Sequence, residues 1–148
     1  MENYITIYRE VEIALKRALV ILAISMLFTT TANAASTVNG TSSGGTLGKT
    51  TVSGNVAAEK GVVGFIIDSA SAKTTSISIG TVGAGVVMHY ATTSSGDNTV
   101  SDYDIQNNAL SANAWISATT NYGTYATGGH TYSSTQYGSW SGSTSQNF

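Results

Sequence analysis

The feature that most constrains the fold of this chain is the complete absence of proline from its 148 residues. Proline has no backbone N–H and is excluded from sheet interiors, so its absence removes an obstacle to continuous strand pairing. After residue 34, roughly half of the positions are Ser, Thr, Gly or Asn, and Val, Ile and Tyr are frequent among the rest. Disordered chains are normally also charged and rich in proline, whereas Thr, Val, Ile and aromatic residues suit a pleated surface. The sequence therefore predicts an all-β fold, a small antiparallel sandwich or open barrel-like sheet, preceded by an N-terminal signal helix.

Residues 1–34 have the three parts of a secretory signal peptide. Two basic residues, Lys16 and Arg17, precede the apolar run 18–28, and the triplet Ala-Asn-Ala follows at 32–34. The apolar run is shorter than the roughly 20 residues that a membrane-spanning helix needs. We expect cleavage at the end of the triplet and a secreted protein, extracellular or on the cell surface. An uncleaved N-terminal anchor is the alternative.

The remaining chain has the size of one domain. Composition predicts a flexible Gly/Ser/Thr arm over 35–49 and a single β-rich domain over 50–148, whose C-terminal part is aromatic and rich in Gly, Ser and Thr. Within the domain, Gly61–Asp68 is a continuous apolar run of strand length. Its glycines and β-branched residues favour a central strand buried on both faces, with a buried helical segment as the alternative.

Three segments alternate with a period of two. The first is Ser76-Ile-Ser-Ile79, and the second, 86–90, places Val86, Met88 and Tyr90 on one side. The third places on one side Leu110, Ala112, Ala114, Ile116 and Ala118. Strict alternation is typical of a strand with one buried face.

Charge and cysteine content exclude several function classes. After residue 34 the chain has three lysines, no arginine and five acids, and it has no cysteine anywhere. Nucleic-acid binding needs clustered basic residues, and an amphipathic membrane helix needs a basic face, so neither partner is expected for the mature chain. Without cysteine, thiol catalysis and cysteine-ligated zinc are excluded. We expect no cofactor.

Three acids form a weak candidate for a calcium site. Asp97, Asp102 and Asp104 lie within eight residues. Asp102 and Asp104 are two apart, so on a strand they project to one face and could share a calcium ion with loop oxygens. The spacing does not match an EF-hand loop, and a solvated loop is the alternative reading.

The two histidines do not indicate an enzyme. His89 lies in an apolar strand and His130 follows two glycines, and both positions are typical of ordinary strand and loop residues. We therefore expect no enzymatic activity, with an exported hydrolase as the least favoured hypothesis.

In the C-terminal part, aromatic residues recur every three to seven positions. They could form a stacking platform for a sugar ring, or they could be cross-strand pairs within the sheet. The residues concerned are Tyr122, Tyr125, Tyr132, Tyr137 and Trp140.

These features favour a structural role outside the cell. The hypothesis is an exported subunit that self-assembles into a fibre, pilus-like filament or biofilm matrix, with copies of itself as partners. Assembly could proceed by strand donation, with Val52 and Val56 entering a groove of the neighbouring subunit. In composition alone, the chain resembles fimbrial and biofilm-fibre subunits. The alternative is a monomeric secreted adhesion module that binds a surface glycan or calcium.

Overall fold

The computed structural model describes residues 35–61, 67–92, 95–119 and 122–148, which form β-strands and no helix. The strands are β1 (Ser36–Thr41), β2 (Ser43–Gly44), β3 (Thr51–Glu59), β4 (Asp68–Thr92), β5 (Ser95–Ala118), β6 (Gly123–Ser134) and β7 (Gly138–Asn147). All their pairings are antiparallel. The all-β, antiparallel prediction is confirmed for this part of the chain. The predicted signal segment lies outside the described residues.

The strands form one sheet that nearly closes into a barrel. Its order is β1-β3-β4-β6-β7-β2, and β5 pairs with β4 outside this path. β1 and β2 stand at opposite ends of the order, yet only Ser42 separates them in the chain. Ser42 donates its N–H to the carbonyl oxygen of Thr50 at 2.9 Å and its hydroxyl to the carbonyl oxygen of Tyr137. This buried serine therefore links the two ends of the sheet.

A long, bent hairpin of β4 and β5 organises the fold. The two strands have 25 and 24 residues, whereas strands usually have about 3–10. Thr75 pairs with Ser111, but Gly80 pairs with Ala109, so four residues of β4 stand opposite one residue of β5. Asn108 beside this irregularity has a φ of 53°, in the left-handed region that asparagine tolerates. The hairpin bends at this point.

The bend brings the two halves of β4 face to face. The first half pairs with β3 and the second half with β6, so each half belongs to a different wall of the sheet. Across the interior, the Thr74 hydroxyl donates to the carbonyl oxygen of Gly83 at 2.7 Å. The two walls are therefore joined by a hydrogen bond as well as by apolar contact.

The core between the walls is built from small and medium side chains. Every second residue of β3 is buried, and the same alternation continues in β6. The buried apolar residues are Val52, Val56, Ala58, Ala70, Ala72, Val82, Ala84, Val86, Met88, Ala112, Ala114, Ile116, Ala126 and Tyr132. The many alanines allow the walls to approach closely.

The predicted central strand Gly61–Asp68 differs from the structure at its described ends. Gly61 follows β3 and Ile67 precedes β4, and neither belongs to a strand, while residues 62–66 lie outside the described residues. The central strand is β4, which pairs with three others. The most apolar run of the sequence favoured 61–68, but β4 buries one face by alternation, and most of its residues are polar or small.

Asp68 begins β4 and is fully buried. Its two carboxylate oxygens accept the backbone N–H groups of Gly61 and Gly123, each at 2.8 Å. A buried carboxylate needs such partners because an unpaired one would carry a large desolvation cost. Asp68 thereby fixes the chain after β3 to the start of β6.

The segment 35–49, predicted as a flexible arm, contains β1 and β2. β1 pairs with β3 over its whole length, from Ser36 opposite Val56 to Thr41 opposite Thr51. Its Ser, Thr and Gly residues are typical of a flexible arm, but here they form a strand at the end of the sheet order, in which every second residue is half-buried.

Candidate functional site

The three acids of the predicted calcium site lie on two faces of β5. Successive residues of a strand point to opposite sides, so Asp97 faces away from Asp102 and Asp104. Asp97 Oδ2 is instead 2.8 Å from His89 Nδ1. The described residues hold no group of three or more His, Asp or Glu side chains that could bind a metal ion. The structure therefore does not bring the three carboxylates together.

Asp102 and Asp104 hold the two halves of β5 together. Asp102 Oδ2 accepts the backbone N–H of Trp115 at 3.2 Å, and Asp104 Oδ2 accepts that of Asn113 at 2.8 Å. The two pairs are spaced symmetrically in sequence on either side of the bend. We call this pair of contacts the β5 clasp. It gives both carboxylates a structural partner.

His130 is buried in the interior and contacts a threonine of β4 and a threonine of β7. Its Nδ1 lies 2.9 Å from Thr74 Oγ1, and its Nε2 lies 2.8 Å from Thr144 Oγ1. The single hydroxyl proton of Thr74 goes to the carbonyl oxygen of Gly83, so Nδ1 must carry a proton and donate it to Thr74. In neutral histidine, Nε2 then accepts from the Thr144 hydroxyl. Both ring nitrogens are thus used within the fold.

Burial lowers the pKa of His130 below its ordinary value of 6.5. The side chain is 1% exposed, and its hydrogen-bond partners are uncharged hydroxyl groups. A neutral imidazole with both nitrogens occupied joins β4, β6 and β7 and has no free position for a substrate. This geometry fits the structural reading of His130.

His89 lies on the outer face, near the tip of the long hairpin. Its ring stacks on Tyr125 with centroids 4.1 Å apart and planes 13° apart. Asp97 contacts Nδ1, and the Thr124 hydroxyl donates to the carbonyl oxygen of His89 at 3.0 Å. The cluster joins β4, β5 and β6 at this end of the sheet.

The aromatic residues of the C-terminal part do not form one platform. Tyr132 is buried and pairs with Trp140 across β6 and β7, while Tyr125 faces outward against His89. Tyr122 is exposed before β6. The Tyr132–Trp140 pair is the cross-strand arrangement that was the alternative to a sugar platform.

The two valines that were predicted to enter a groove of the neighbouring subunit lie inside their own subunit. Val52 and Val56 are buried in β3, in the two halves of the core. Donating this segment to a neighbour would require β3 to leave its place between β1 and β4. Strand donation in this fold therefore means exchange of core strands.

Three exposed aliphatic side chains lie at the bend of the long hairpin. Ile77 and Ile79 lie in the β4 irregularity and are 76% and 60% exposed, and Leu110 opposite them is 49% exposed. We call these three residues the bend patch. The alternation of 76–79 predicted a strand with one buried face, but here the buried residue is Ser76. The even-numbered residues of this part of β4 are buried, beginning with Ala70 and Ala72, so the odd-numbered isoleucines face outward.

Comparison with known proteins identifies no relative. No family model, no curated protein and no solved structure matches this chain. In the described ranges, no helix is long and apolar enough to span a membrane.

Proposed function

We propose that this protein is an exported structural subunit that assembles with copies of itself into an extracellular fibre, pilus-like filament or matrix. The bend patch is the observation that carries the proposal. Isolated exposed apolar residues are common on protein surfaces, but several together mark interaction sites. Three large aliphatic side chains on both sides of one bend are a grouping of this kind.

The charge of the chain favours association of identical copies. The formal net charge at neutral pH is −2, with few charged residues of either sign. A high net charge would keep copies apart by repulsion, and this chain has little of it. Burying an aliphatic side chain contributes about 1.5–3 kcal/mol, so the three residues of the patch can make a substantial contribution to a contact.

Contact between folded surfaces is the assembly route that we propose. Strand donation by Val52 and Val56 would first expose core residues, since both are buried in their own subunit. Contacts through the bend patch cover apolar surface that is already exposed and leave the core unchanged.

The test is the association state of the secreted protein and of a double variant, Ile77→Ser with Ile79→Ser. Sedimentation velocity over a wide concentration range, with negative-stain microscopy, measures assembly. We expect the double variant to associate at least about tenfold more weakly, the equivalent of about 1.4 kcal/mol. The control is Leu47→Ser, because Leu47 is 67% exposed but lies outside the bend.

Two results would contradict this proposal. One is a protein that stays monomeric at every concentration, which would favour the secreted adhesion module instead. The other is an equal loss of association in the Leu47→Ser control, which would indicate nonspecific hydrophobic contact.

A further inference from the structure

One wall of the sheet consists of part of β5, the second half of β4, β6 and β7. On its outer face, two paired glycines form a trough. Gly85 on β4 pairs with Gly129 on β6. A Cβ on Gly129 would meet no heavy atom within 4 Å, and one on Gly85 would meet none closer than 3.9 Å. Packing therefore does not require glycine at either position. Glycine weakens a strand, and its presence inside one often marks a place where a ligand approaches the backbone closely.

An aromatic ring stands at one end of this trough. Tyr103 on β5 pairs with Gly85 and is 76% exposed, and Ser143 on β7 pairs with Gly129. The row therefore runs from Tyr103 over two glycines to Ser143. At a strand spacing of about 4.8 Å, it spans about 14 Å.

A groove lined by hydroxyl groups lies beside the trough. It has a volume of about 490 Å³, within the range of about 300–1,000 Å³ of small-molecule sites. Thr131 and Ser141 line it and form the row next to Gly129 and Ser143. The groove also borders Trp140. The same surface thus offers a bare backbone, an exposed aromatic ring and a cluster of hydroxyl groups.

The lack of charged residues on this surface favours an uncharged ligand. The neighbouring row consists of Ile105, Gly83, Thr131 and Ser141, so neither row contains Lys, Arg, Asp or Glu. Hydroxyl groups both donate and accept hydrogen bonds, which matches a ligand that is itself rich in hydroxyls. An anionic polymer would find no cation in either row.

We propose that this face binds a neutral polysaccharide. One sugar ring stacks on Tyr103, the chain lies over Gly85 and Gly129, and its hydroxyls bond to the side chains of the groove. This function is independent of self-association, because the bend patch contributes no residue to the trough.

Affinity electrophoresis of the full chain tests the proposal. The gels contain soluble neutral polysaccharides (dextran, xylan, mixed-linkage glucan and hydroxyethyl cellulose), with alginate as the anionic comparison. The two variants are Tyr103→Ala, which removes the ring, and Gly129→Thr, which fills the trough where the structure has open space. We expect each to weaken binding by at least about tenfold.

The matched control is Trp115→Ala. Trp115 is 57% exposed but belongs to the half of β5 in the other wall. Retardation by a neutral polysaccharide that both trough variants reduce and this control leaves unchanged supports the proposal. It is overturned by no retardation in any neutral gel, by alginate binding at least as strongly, or by an equal loss in Trp115→Ala. Thermal unfolding of each variant confirms that a loss does not come from misfolding, and Tyr103→Phe, which keeps the ring, should retain binding.

Discussion

The imidazole of His130 lies against Gly54 of the facing strand and fills the space that a side chain at position 54 would need. A Cβ at that position would be 2.2 Å from the Cγ atom of the ring. The histidine and the glycine thus form one contact between β6 and β3. β3 and β6 can approach this closely only if one of the two residues has no side chain.

Substituting Gly54 with alanine tests this contact. The added methyl group would force the buried ring or the backbone to move, and overpacking of this kind costs about 1–3 kcal/mol. Total stability of a small domain is about 5–15 kcal/mol, so urea unfolding should show a clear shift of the midpoint. The control is Gly129→Ala, where the methyl group enters open space and the change should stay within about 0.5 kcal/mol. Equal effects at the two positions would mean that His130 does not pack as described.

The stability of the fold should fall on mild acidification. Burial lowers the pKa of His130, so below its ordinary value of 6.5 the unfolded chain binds a proton that the folded chain does not. The unfolded state is then favoured, and stability declines from about pH 6.5 downward until the folded-state pKa is reached. Urea unfolding at a series of pH values measures this slope.

Two variants assign that slope to the buried histidine. His130→Asn should lower stability at all pH values and flatten the decline, since asparagine does not titrate. His89→Asn removes the outer histidine and should leave the decline in place. A decline that persists in His130→Asn would locate the responsible group elsewhere.

Predicting the buried face of an alternating segment required knowing whether its odd or its even positions face the core. Ala112, Ala114 and Ile116 are buried as predicted, and three of the residues between them, Ser111, Asn113 and Ser117, are polar and exposed. Leu110, predicted on the same side, is 49% exposed at the bend. In 76–79, serine and isoleucine alternate as well, but the phase is set by the preceding residues of β4 and reverses the assignment. A short alternating segment therefore does not predict which of its two faces is buried when it is part of a longer strand.

Contacts between distant residues could not be predicted from composition or spacing. His130 and Thr74 are 56 positions apart and meet only because β4 bends between Thr75 and Gly80. The same bend brings Asp102 to Trp115, so a carboxylate interpreted as a metal ligand becomes part of the β5 clasp. The glycines of 80–85 favour a bend or bulge in this part of the chain, and two register shifts of β4 involve Gly80.

Removing the β5 clasp should loosen one half of β5 without unfolding the domain. In the double variant Asp102→Ala with Asp104→Ala, the backbone N–H groups of Asn113 and Trp115 lose their acceptors. Hydrogen exchange at these two amides should accelerate, while exchange in β6 stays unchanged. Asp97→Ala is the control, because its carboxylate lies on the other face.

Calcium should have little effect on the thermal stability of the fold. Since Asp102 and Asp104 accept backbone N–H groups, added calcium must compete with the clasp. We expect thermal unfolding of the unmodified chain to be the same with calcium and with a chelator. A rise in melting temperature with calcium that the Asp102→Ala and Asp104→Ala double variant abolishes would restore the calcium interpretation.

A disulfide between β3 and β4 distinguishes surface assembly from strand donation. Ala57 and Ser71 are register partners, and paired positions in antiparallel strands have Cα atoms about 4.5–5.5 Å apart, within the range of disulfides. The variant Ala57→Cys with Ser71→Cys, once oxidised, fixes β3 to its own β4, so Val52 and Val56 cannot enter a neighbour. If copies associate through the bend patch, the oxidised and reduced forms should assemble to the same extent in sedimentation velocity, because the patch is unchanged by the bond. Assembly that requires reduction would instead show that the segment containing Val52 and Val56 is exchanged between subunits, and the contact through Ile77 and Ile79 would then be secondary.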